Sequence, residues 1–360
     1  MIASRWKMTW EIPDKMSRKK VAVIGCGFFA PNHLHAWNEI SQAELVAVCD
    51  LDEKKAAHAA TAFSVPAKYT DAAEMIEQAK PDLVDIVTTM ASHRMLVELC
   101  AAKGIAVIVQ KPFGPCYDDC LAMVRACDEA GVMLMVHENF RFQHPLRQVK
   151  SVVDSGVIGD PLWGRLSFRT GYDVKSGQPY LFDEERFIVL DLGIHVLDLA
   201  RVFFGEVETV YSRHARIDPR IKGEDMATIM LGHVNGATSI VDITYESHRY
   251  PDSFPQTLLT IEGRNGALEL KHDFQLSLSE NGEQRTMDLS TPLRAWTSQP
   301  WHVAQESVFH TQVHALAALS GGFEPETSGA DNLKTYALVD AAYLSAERGE
   351  TVRLPALLPE

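Results

Sequence analysis

The chain has 360 residues, of which 46% are hydrophobic and 23% are charged, a balance typical of a folded globular protein and not of a disordered or fibrous one. Its formal net charge of -14 argues against a general nucleic-acid binder, which needs clustered Lys and Arg side chains to hold phosphates. The length predicts about two domains of ordinary size.

The start of the chain predicts a segment outside the folded core. Residues 1–18 contain no apolar stretch long enough for a signal peptide, and no later segment is apolar for long enough to cross a membrane. We expect an extended or disordered prefix, with either Met1 or Met16 as the start of the protein. The six cysteines include no C-x-x-C pair and lack the spacing of a secreted disulfide framework, so the sequence predicts a reducing, cytoplasmic location.

Residues 19–139 alternate short β-branched runs with helical patterns. The runs are VAVIG, ELVAVCD, LVDIVTT, IAVIVQ and MLMVHEN, and helices are expected between them, for example over 92–103 and 116–130. Continuous apolar runs of this kind are typical of parallel strands that are buried on both faces. The alternation therefore predicts a doubly wound parallel sheet, the Rossmann arrangement that binds dinucleotides.

The segment after the first run has the pattern of a dinucleotide-binding loop. Its first glycine would make the turn, its second would let the backbone approach a pyrophosphate, and the third position, where a helix packs against the strand, tolerates Ala. We expect the cofactor to contact the residues of this loop, which are Gly25, Gly27, Phe28, Phe29 and Ala30.

Asp50 follows the second run, where a carboxylate can hydrogen-bond a ribose 2′-hydroxyl and repel a 2′-phosphate. The next residue is Leu51 and not an arginine, which favours NAD over NADP. Lys54 and Lys55 leave NADP as the less favoured alternative.

From residue 140 to residue 360 the pattern changes to that of an α+β domain. Asn-Gly pairs in VNGA, EGRNGA and ENGE predict hairpins of a large, mostly antiparallel sheet. One strand is expected over 162–170, and helices are expected over 144–156, 187–204, 303–319 and 330–348. We expect this half to bind substrate, to form a homo-oligomer (a dimer or tetramer), and to pack with the first half around a shared cleft.

The second of these helices, over 187–204, carries ionisable residues on an apolar background. Asp191, His195 and Asp198 follow the spacing i, i+4 and i+7, which places them on one helical face. Buried charge without a partner is costly, so these side chains either pair with each other or face a cleft. Two interpretations stay open on spacing alone: a structural histidine bonded to Asp191, and a catalytic histidine.

Oxidation of an alcohol requires a base that takes the hydroxyl proton while hydride leaves the same carbon. Histidine, with an unperturbed pKa of about 6.5, suits this transfer near neutral pH. Lys111 stands at the end of a predicted strand, before Pro112, where its ammonium could hold the substrate oxygen. Asn139 and Arg141 are expected on the nicotinamide or substrate side, with a domain-joint network as the alternative.

The segment 169–187 is rich in polar and aromatic residues and is expected to cover the substrate. Arg169, Gln178 and Tyr180 could hydrogen-bond its hydroxyl groups. No set of His, Cys, Asp or Glu residues has convincing metal-ligand spacing, since His33 and His35, like His310 and His314, lack a third ligand in register. We therefore expect no metal.

Several motifs, taken in order, resemble the Gfo/Idh/MocA family of oxidoreductases, the glucose-fructose oxidoreductase and inositol dehydrogenase group. They are the glycine loop with His33, the acid after the second strand, TTMASH, QKPFG, ENFRF, LDLGIHVLDLARVFFG and the closing GADNLKTYALVDAAYLSAERGETVRLP. The resemblance covers nearly the whole chain from about residue 20.

The resemblance implies roles by position. It matches Lys111, Asp191 and His195 to the catalytic residues of the family, and it places Thr88, Met90 and His93 in the turn that contacts the cofactor. Gln110, Lys111 and Pro112 would also border the cofactor. Two positions depart from the family pattern: Gln110 replaces a usual Glu, and Met90 replaces a usual Pro.

Together these observations predict an NAD-dependent dehydrogenase that oxidises a C–OH of a sugar, polyol or cyclitol, with His195 as general base. The substrate would be bound by Lys111, Arg141, Arg169, Gln178, Asp191 and His195. Two alternatives are a nicotinamide-binding regulatory protein without turnover, and an NAD-dependent lyase or glycosidase that oxidises its substrate only transiently. We expect no nucleic-acid or membrane partner.

Overall fold

The computed structural model describes residues 18–354. These residues fall into two compact units: the first unit comprises 18–142 and 305–333, and the second comprises 143–304 and 334–354. The predicted prefix lies outside the described residues except for Arg18, and so does the choice between Met1 and Met16. The predicted domain boundary at 139/140 stays a prediction; residues 305–333, from late in the chain, belong to the first unit.

The first unit is built on a parallel sheet. Its strands are β1 (Lys19–Ile24), β2 (Ala43–Cys49), β3 (Ala67–Tyr69), β4 (Leu83–Ile86), β5 (Ala106–Gln110) and β6 (Leu134–His137). Within the described chain this sheet has six strands in the order β3-β2-β1-β4-β5-β6, and every pairing is parallel. The order reverses beside β1, which is the switch point of a doubly wound fold.

The helices of the first unit follow the strands as the alternating pattern predicted. They are α1 (Ala30–Glu39), α2 (Glu53–Ala62), α3 (Ala72–Ala79), α4 (His93–Ala102) and α5 (Tyr117–Ala130). The β-branched residues of β1, β4 and β5 are buried on both faces of the sheet. The sequence did not predict β3, because three residues, none of them fully buried, are too few to show a period.

The second unit is built on a larger, mostly antiparallel sheet. Its strands are β7 (Pro161–Arg169), β8 (Val207–Ala215), β9 (Met226–His233), β10 (Thr238–Thr244), β11 (Leu258–Gly263), β12 (Gly266–Leu270), β13 (Gln275–Glu280), β14 (Glu283–Asp288) and β15 (Val352–Arg353). Among the described residues it has nine strands, in the order β14-β13-β12-β11-β7-β10-β9-β8-β15. The three predicted Asn-Gly turns join β9 to β10, β11 to β12 and β13 to β14.

The remaining helices are α6 (His144–Asp154), α7 (Ile194–Phe204), α8 (His302–Gly321) and α9 (Gly329–Arg348). Helix α7 lies on one face of the large sheet: a Cβ on Gly164 of β7 would be 2.2 Å from Cζ of Phe204. The predicted fold class, a Rossmann sheet followed by an α+β part with a mostly antiparallel sheet, is confirmed.

Candidate active site

The glycine loop joins β1 to α1 and is shaped by two different demands. Gly25 has φ +100°, and a Cβ on it would lie 2.4 Å from the carbonyl oxygen of Val87, so the chain itself requires glycine there. A Cβ on Gly27 would meet nothing within 4 Å, so that glycine leaves open space on the loop. Ala30 is buried as the first residue of α1, whose N-terminal amides favour an anionic group.

Asp50 is tied to this loop by backbone hydrogen bonds. Its Oδ2 accepts the N–H of Cys26 at 2.8 Å, and its Oδ1 accepts the N–H of Asp52 at 2.9 Å. Each carboxylate oxygen keeps a second acceptor site, so the fixed side chain can still receive a hydroxyl hydrogen bond.

The turn after β4 is joined to the turn after β5 through a histidine. The ring of His93 is buried, with Nδ1 at 3.0 Å from the carbonyl oxygen of Phe113 and Nε2 at 3.1 Å from that of Thr88. Burial lowers its pKa. The contacts seen for the His93 ring are with the chain itself, whereas Thr88 and Met90 are partly exposed.

Lys111 follows β5 directly and is partly exposed. Its backbone N–H donates to Oε1 of Gln110 at 2.8 Å. Because Gln110 pairs with His137 in the parallel register, Lys111 and Glu138 are the next residues at the same edge of the sheet. This arrangement places an acidic side chain beside the predicted catalytic lysine.

Sequence reasoning missed Glu138, although an acid directly after an apolar strand was a visible signal. The side chain is fully buried, and burial raises its pKa to about 7 against the opposing positive charges of Lys111 and Arg141. The free acid therefore gives way to the carboxylate near neutral pH.

Asn139 and Arg141 are engaged with the late segment of the first unit. Asn139 donates to Oγ of Ser307 at 2.7 Å. Arg141 donates to the carbonyl oxygen of Glu326 at 2.8 Å and to Oδ2 of Asp331 at 2.6 Å. These contacts all lie within the first unit. The predicted cofactor and substrate contacts of both side chains stay predictions, and so does the alternative of a domain-joint network.

In the second unit, the helix predicted over 187–204 is not regular. Val189–Gly193 form a π-turn that leads into α7, so Asp191 lies in that turn and His195 in the first turn of the α-helix. Gly193 packs closely against β10, since a Cβ there would be 2.8 Å from Cδ1 of Ile243. Such π-turns are frequent at functional sites.

Polar side chains surround the Asp191 carboxylate. The hydroxyl of Tyr245, just after β10, donates to Oδ2 of Asp191 at 3.4 Å. The pKa values of Tyr245 and Glu184 are raised, first by burial and then by the negative charge of Asp191. That charge also acts to raise the pKa of Tyr180, which is 54% exposed. His195 is only 4% exposed. The sequence pointed to Asp191, His195 and Tyr180, and it missed Glu184 and Tyr245.

Asp198, the third ionisable residue of the predicted helical face, contacts side chains that hold the fold together. Its Oδ1 accepts from Oγ1 of Thr335 at 2.8 Å and lies 3.7 Å from the guanidinium of Arg201, and both ionic side chains are buried. Arg201 also donates to Glu206 at 3.0 Å. Asp198 therefore joins α7 to α9.

The segment 169–187 is held by contacts with later parts of the second unit. Nζ of Lys175, which is buried, pairs with Oδ2 of Asp218 at 2.9 Å and with Glu246. The rings of Tyr172 and Phe254 stack with centroids 4.1 Å apart. An ion-pair network and an aromatic stack therefore both anchor the segment.

Arg169 and Gln178 have different settings within that segment. Arg169 alternates with Phe168, so it lies on the sheet face opposite α7, with its guanidinium 3.6 Å from Oδ1 of Asp242. Gln178 accepts a hydrogen bond from the hydroxyl of Tyr180 at 2.9 Å. The structure groups Gln178 with Tyr180 but does not bring Arg169 together with Asp191 and His195.

Comparison with known proteins identifies the family. A model described as "Oxidoreductase family, NAD-binding Rossmann fold" matches residues 19–138, and one described as "GFO/IDH/MocA C-terminal domain" matches residues 146–269. The chain belongs to the Gfo/Idh/MocA family. The resemblance read from the motifs is confirmed.

Individual members of the Gfo/Idh/MocA family extend this result. The chain is 50% identical over 343 residues to D-apiose dehydrogenase of Rhizobium rhizogenes, covering 95% of this chain and 99% of that protein. It is 26% identical over 349 residues to myo-inositol 2-dehydrogenase of Thermotoga maritima, covering 94% and 99%. A crystal structure of an oxidoreductase from Agrobacterium radiobacter in complex with NAD+, L-tartaric acid and magnesium superposes with a TM-score of 0.93 at 50% identity, covering 95% of this chain and 100% of that one.

This family member is an NAD-dependent dehydrogenase, and the predicted cofactor is confirmed. The first unit fits the cofactor by its own features: the open space at Gly27, the amides at the start of α1, and the oriented carboxylate of Asp50. Among residues 18–354 no helix combines the length and apolarity needed to cross a bilayer.

Replacing Asp50 with alanine is expected to weaken NAD binding roughly 10- to 100-fold, because one charge-assisted hydrogen bond to the ribose is lost. NADP affinity should stay the same or improve, since the repulsion of a 2′-phosphate disappears. Fluorescence titration of both cofactors measures the ratio. Asp52→Ala, an exposed acid of the same turn, is the control and should leave the ratio unchanged. Equal affinities for NAD and NADP in the unmutated chain would refute this prediction.

Asp198→Ala is expected to lower the free energy of unfolding by about 3 kcal/mol, because the buried charge of Arg201 loses a partner. The folded enzyme should keep its kcat within about twofold, since the hydrogen bond from Thr335 and the ion pair with Arg201 give Asp198 a role in the fold. Urea unfolding and steady-state kinetics measure the two effects. A large loss of kcat with normal stability would instead support a catalytic role for Asp198.

Glu138→Gln is expected to change how stability depends on pH. The pKa of Glu138 is raised from its ordinary 4.5 to about 7, so in the unmutated chain this group reduces stability progressively as pH rises through that window. The variant should lack this loss and be more stable by up to about 3 kcal/mol above the window. Urea unfolding at about pH 5 and about pH 8 compares both proteins; a gap that does not grow with pH would contradict the assignment.

Proposed function

We propose that the chain oxidises D-apiose or a closely related sugar with NAD. The observation that carries the proposal is the identity of 50% with a D-apiose dehydrogenase over nearly the full length of both proteins. The relative that is named for myo-inositol is only 26% identical, which makes a cyclitol the second candidate.

The carbon oxidised would be C1 of the cyclic sugar. In that form C1 carries the hydroxyl and a hydrogen, and the ring oxygen beside it stabilises the positive charge that develops as hydride leaves. Bound NAD supplies the hydride acceptor, the nicotinamide C4. Oxidation at C1 would turn the lactol into a lactone and release one proton.

His195 is proposed as the base that takes the C1 hydroxyl proton. Its position at the start of α7 is fixed by the tight packing of Gly193 against β10. Asp191 would orient the imidazole and stabilise it once it is protonated. The hydrogen bond from Tyr245 holds the Asp191 carboxylate in one orientation, which supports this role.

Lys111 is proposed to hold the reacting oxygen. Its ammonium would stabilise the negative charge that grows on that oxygen as the proton is removed. The backbone hydrogen bond to Gln110 fixes the residue at the end of β5. Glu184, Tyr180 and Gln178 are candidates for contacts with the other hydroxyls.

We also propose a homo-oligomer in the cytoplasm. On the sheet face away from α7, Ile240, Met230 and Tyr211 are register neighbours across three strands, and Met230 is 48% exposed. An apolar row of this kind suits an interface between subunits. All six cysteines lie within the described residues and are free thiols, which supports a reducing compartment. Light scattering of the unmutated chain and of Met230→Glu tests the interface.

The substrate proposal is tested by measuring kcat/KM for NAD reduction with D-apiose, with D-xylose and other pentoses, and with the cyclitol myo-inositol. D-apiose should exceed each of the others by about 10-fold or more, because hydroxyl groups that mismatch a polar site leave its donors and acceptors unpaired. A higher value for a cyclitol would move the proposal to that class. NAD binding without turnover of any substrate would favour the regulatory alternative.

A further inference from the structure

A buried chain of hydrogen bonds runs from β4 to the residue before Lys111. Nδ1 of His33, on α1, lies 2.7 Å from Oδ2 of Asp85 on β4. Nε2 of His33 lies 2.9 Å from Nε2 of Gln110 at the end of β5. Oε1 of Gln110 accepts the backbone N–H of Lys111 at 2.8 Å. His33 and Asp85 are 0% exposed and Gln110 is 7% exposed.

The direction of each bond follows from the backbone of Lys111. Its N–H can only donate, so the Gln110 atom beside it is the carbonyl oxygen and the amino group of Gln110 faces His33. An amide nitrogen has only donors, so Nε2 of His33 must accept. His33 is therefore neutral, with its proton on Nδ1 donated to Asp85.

The surroundings of Asp85 agree with this direction. Its Oδ2 also receives the indole N–H of Trp37 at 2.7 Å and the amide of Gln312 at 3.2 Å. Donors converging on one oxygen are suited to an ionised carboxylate. Burial alone would raise the pKa of Asp85, and the hydrogen bonds that it accepts from His33 and Trp37 oppose that effect. The titratable groups that face His33 are Asp85 and His137, whose ring centroid is 4.4 Å away.

We propose that His33, as the neutral Nδ1–H tautomer, is a positioning residue that fixes the Gln110 side chain and through it the strand end presenting Lys111. The inference rests on the role proposed for Lys111. The same hydrogen bonds show what Gln, in place of the usual Glu, does at position 110. A carboxylate there would need Nε2 of His33 to donate a proton, so His33 would have to be doubly protonated and positively charged, whereas Gln allows a neutral His33.

Two substitutions at His33 separate its two hydrogen bonds. In His33→Asn the amide nitrogen can replace Nδ1 toward Asp85, but no group replaces the Nε2 acceptor. In His33→Gln the amide oxygen can replace that acceptor toward Gln110. We expect His33→Asn to lower kcat roughly 10- to 100-fold and His33→Gln to retain most of it. If His33 were merely structural, the kcat values of the two variants would follow their stabilities and not this order.

Substitutions at Gln110 give the matching test. Gln110→Met breaks the chain and should lower kcat as His33→Asn does, and the double variant should be no slower than either single one, because both remove the same link. Gln110 is also expected to border the cofactor, so the variants are compared at saturating NAD. Gln110→Glu should then retain more kcat than Gln110→Met, since His33 can donate from both ring nitrogens. Additive losses, or a loss in Gln110→Glu equal to that in Gln110→Met, would overturn the proposal.

Nitrogen-15 NMR of the ring nitrogens tests the tautomer without any activity assay. In the unmutated protein at neutral pH, Nδ1 of His33 should carry the proton and Nε2 should not, whereas in Gln110→Glu both should. A protonated Nε2 in the unmutated protein would overturn the inference even if all variants were inactive. The predicted tautomer with no oxidation of any sugar would refute the proposed function and leave the hydrogen-bond assignment standing.

Discussion

Replacing His195 with alanine is expected to lower kcat about 10²- to 10⁴-fold while NAD affinity stays nearly unchanged, because the variant loses the general base but no proposed cofactor contact. The structure supports the assignment through the position of His195, which is 4% exposed in the first turn of α7 directly after the π-turn that holds Asp191. Steady-state kinetics with the best sugar and titration of NAD separate the two quantities.

A second buried histidine of the same unit provides the control for this experiment. His233 is 3% exposed and bonds the carbonyl oxygen of Gly205 and the hydroxyl of Ser239 at 2.8 Å each. His233→Asn should lose stability and keep the kcat of the folded enzyme. A His195→Ala protein that folds normally and retains full turnover would contradict the base assignment, and one that cannot fold would favour a structural histidine.

Lys111→Met is expected to lower kcat about 10²- to 10³-fold, because the variant keeps the length of the side chain but loses the charge that stabilises the reacting oxygen. Lys111→Arg should recover only part of this rate, since a planar guanidinium places its charge differently from an ammonium. The pKa of Glu138 should rise further in Lys111→Met, because the charge of Lys111 now lowers it. Kinetics and the pH dependence of unfolding measure the two effects.

Lys103→Met is the matched control for Lys111→Met. Lys103 is an exposed lysine of the same unit and pairs with Glu77 at 2.8 Å. Its replacement should change neither kcat nor the pKa of Glu138. Stability should also change little, because a surface ion pair of this kind contributes at most about 1 kcal/mol. Unchanged turnover in Lys111→Met would remove this lysine from the reaction.

Local patterns were sufficient to predict the layout of the fold. The β-branched runs marked five of the strands of the first sheet, and each Asn-Gly pair fell at an observed hairpin. Such signals come from neighbouring residues, which is why they are visible in the sequence. Two features were not predicted. Strand β3 is too short to show a period, and the π-turn at Val189–Gly193 has the composition of an ordinary helix.

Site residues could be predicted only where their place in the sequence, directly after a strand, indicates their role. The sequence identified Asp50 and Lys111 because each directly follows a strand at the carboxyl edge of the parallel sheet. It could not give the partners of Asp198 or the bond between His33 and Gln110, which join residues 137 and 77 positions apart. Contacts of that range depend on tertiary packing, and Arg169 shows the same limit, since only the strand register reveals which face of the sheet it occupies.

The most direct test of sugar oxidation by hydride transfer uses D-apiose carrying deuterium at C1, mixed with NAD and the full-length enzyme. We predict that NADH accumulates in a one-to-one ratio with the oxidised sugar and that each NADH carries the deuterium at nicotinamide C4. Mass spectrometry of both products reads the label. Deuterium that returns to a sugar product without net NADH, as in a lyase or glycosidase with transient oxidation, would contradict the proposed dehydrogenase reaction.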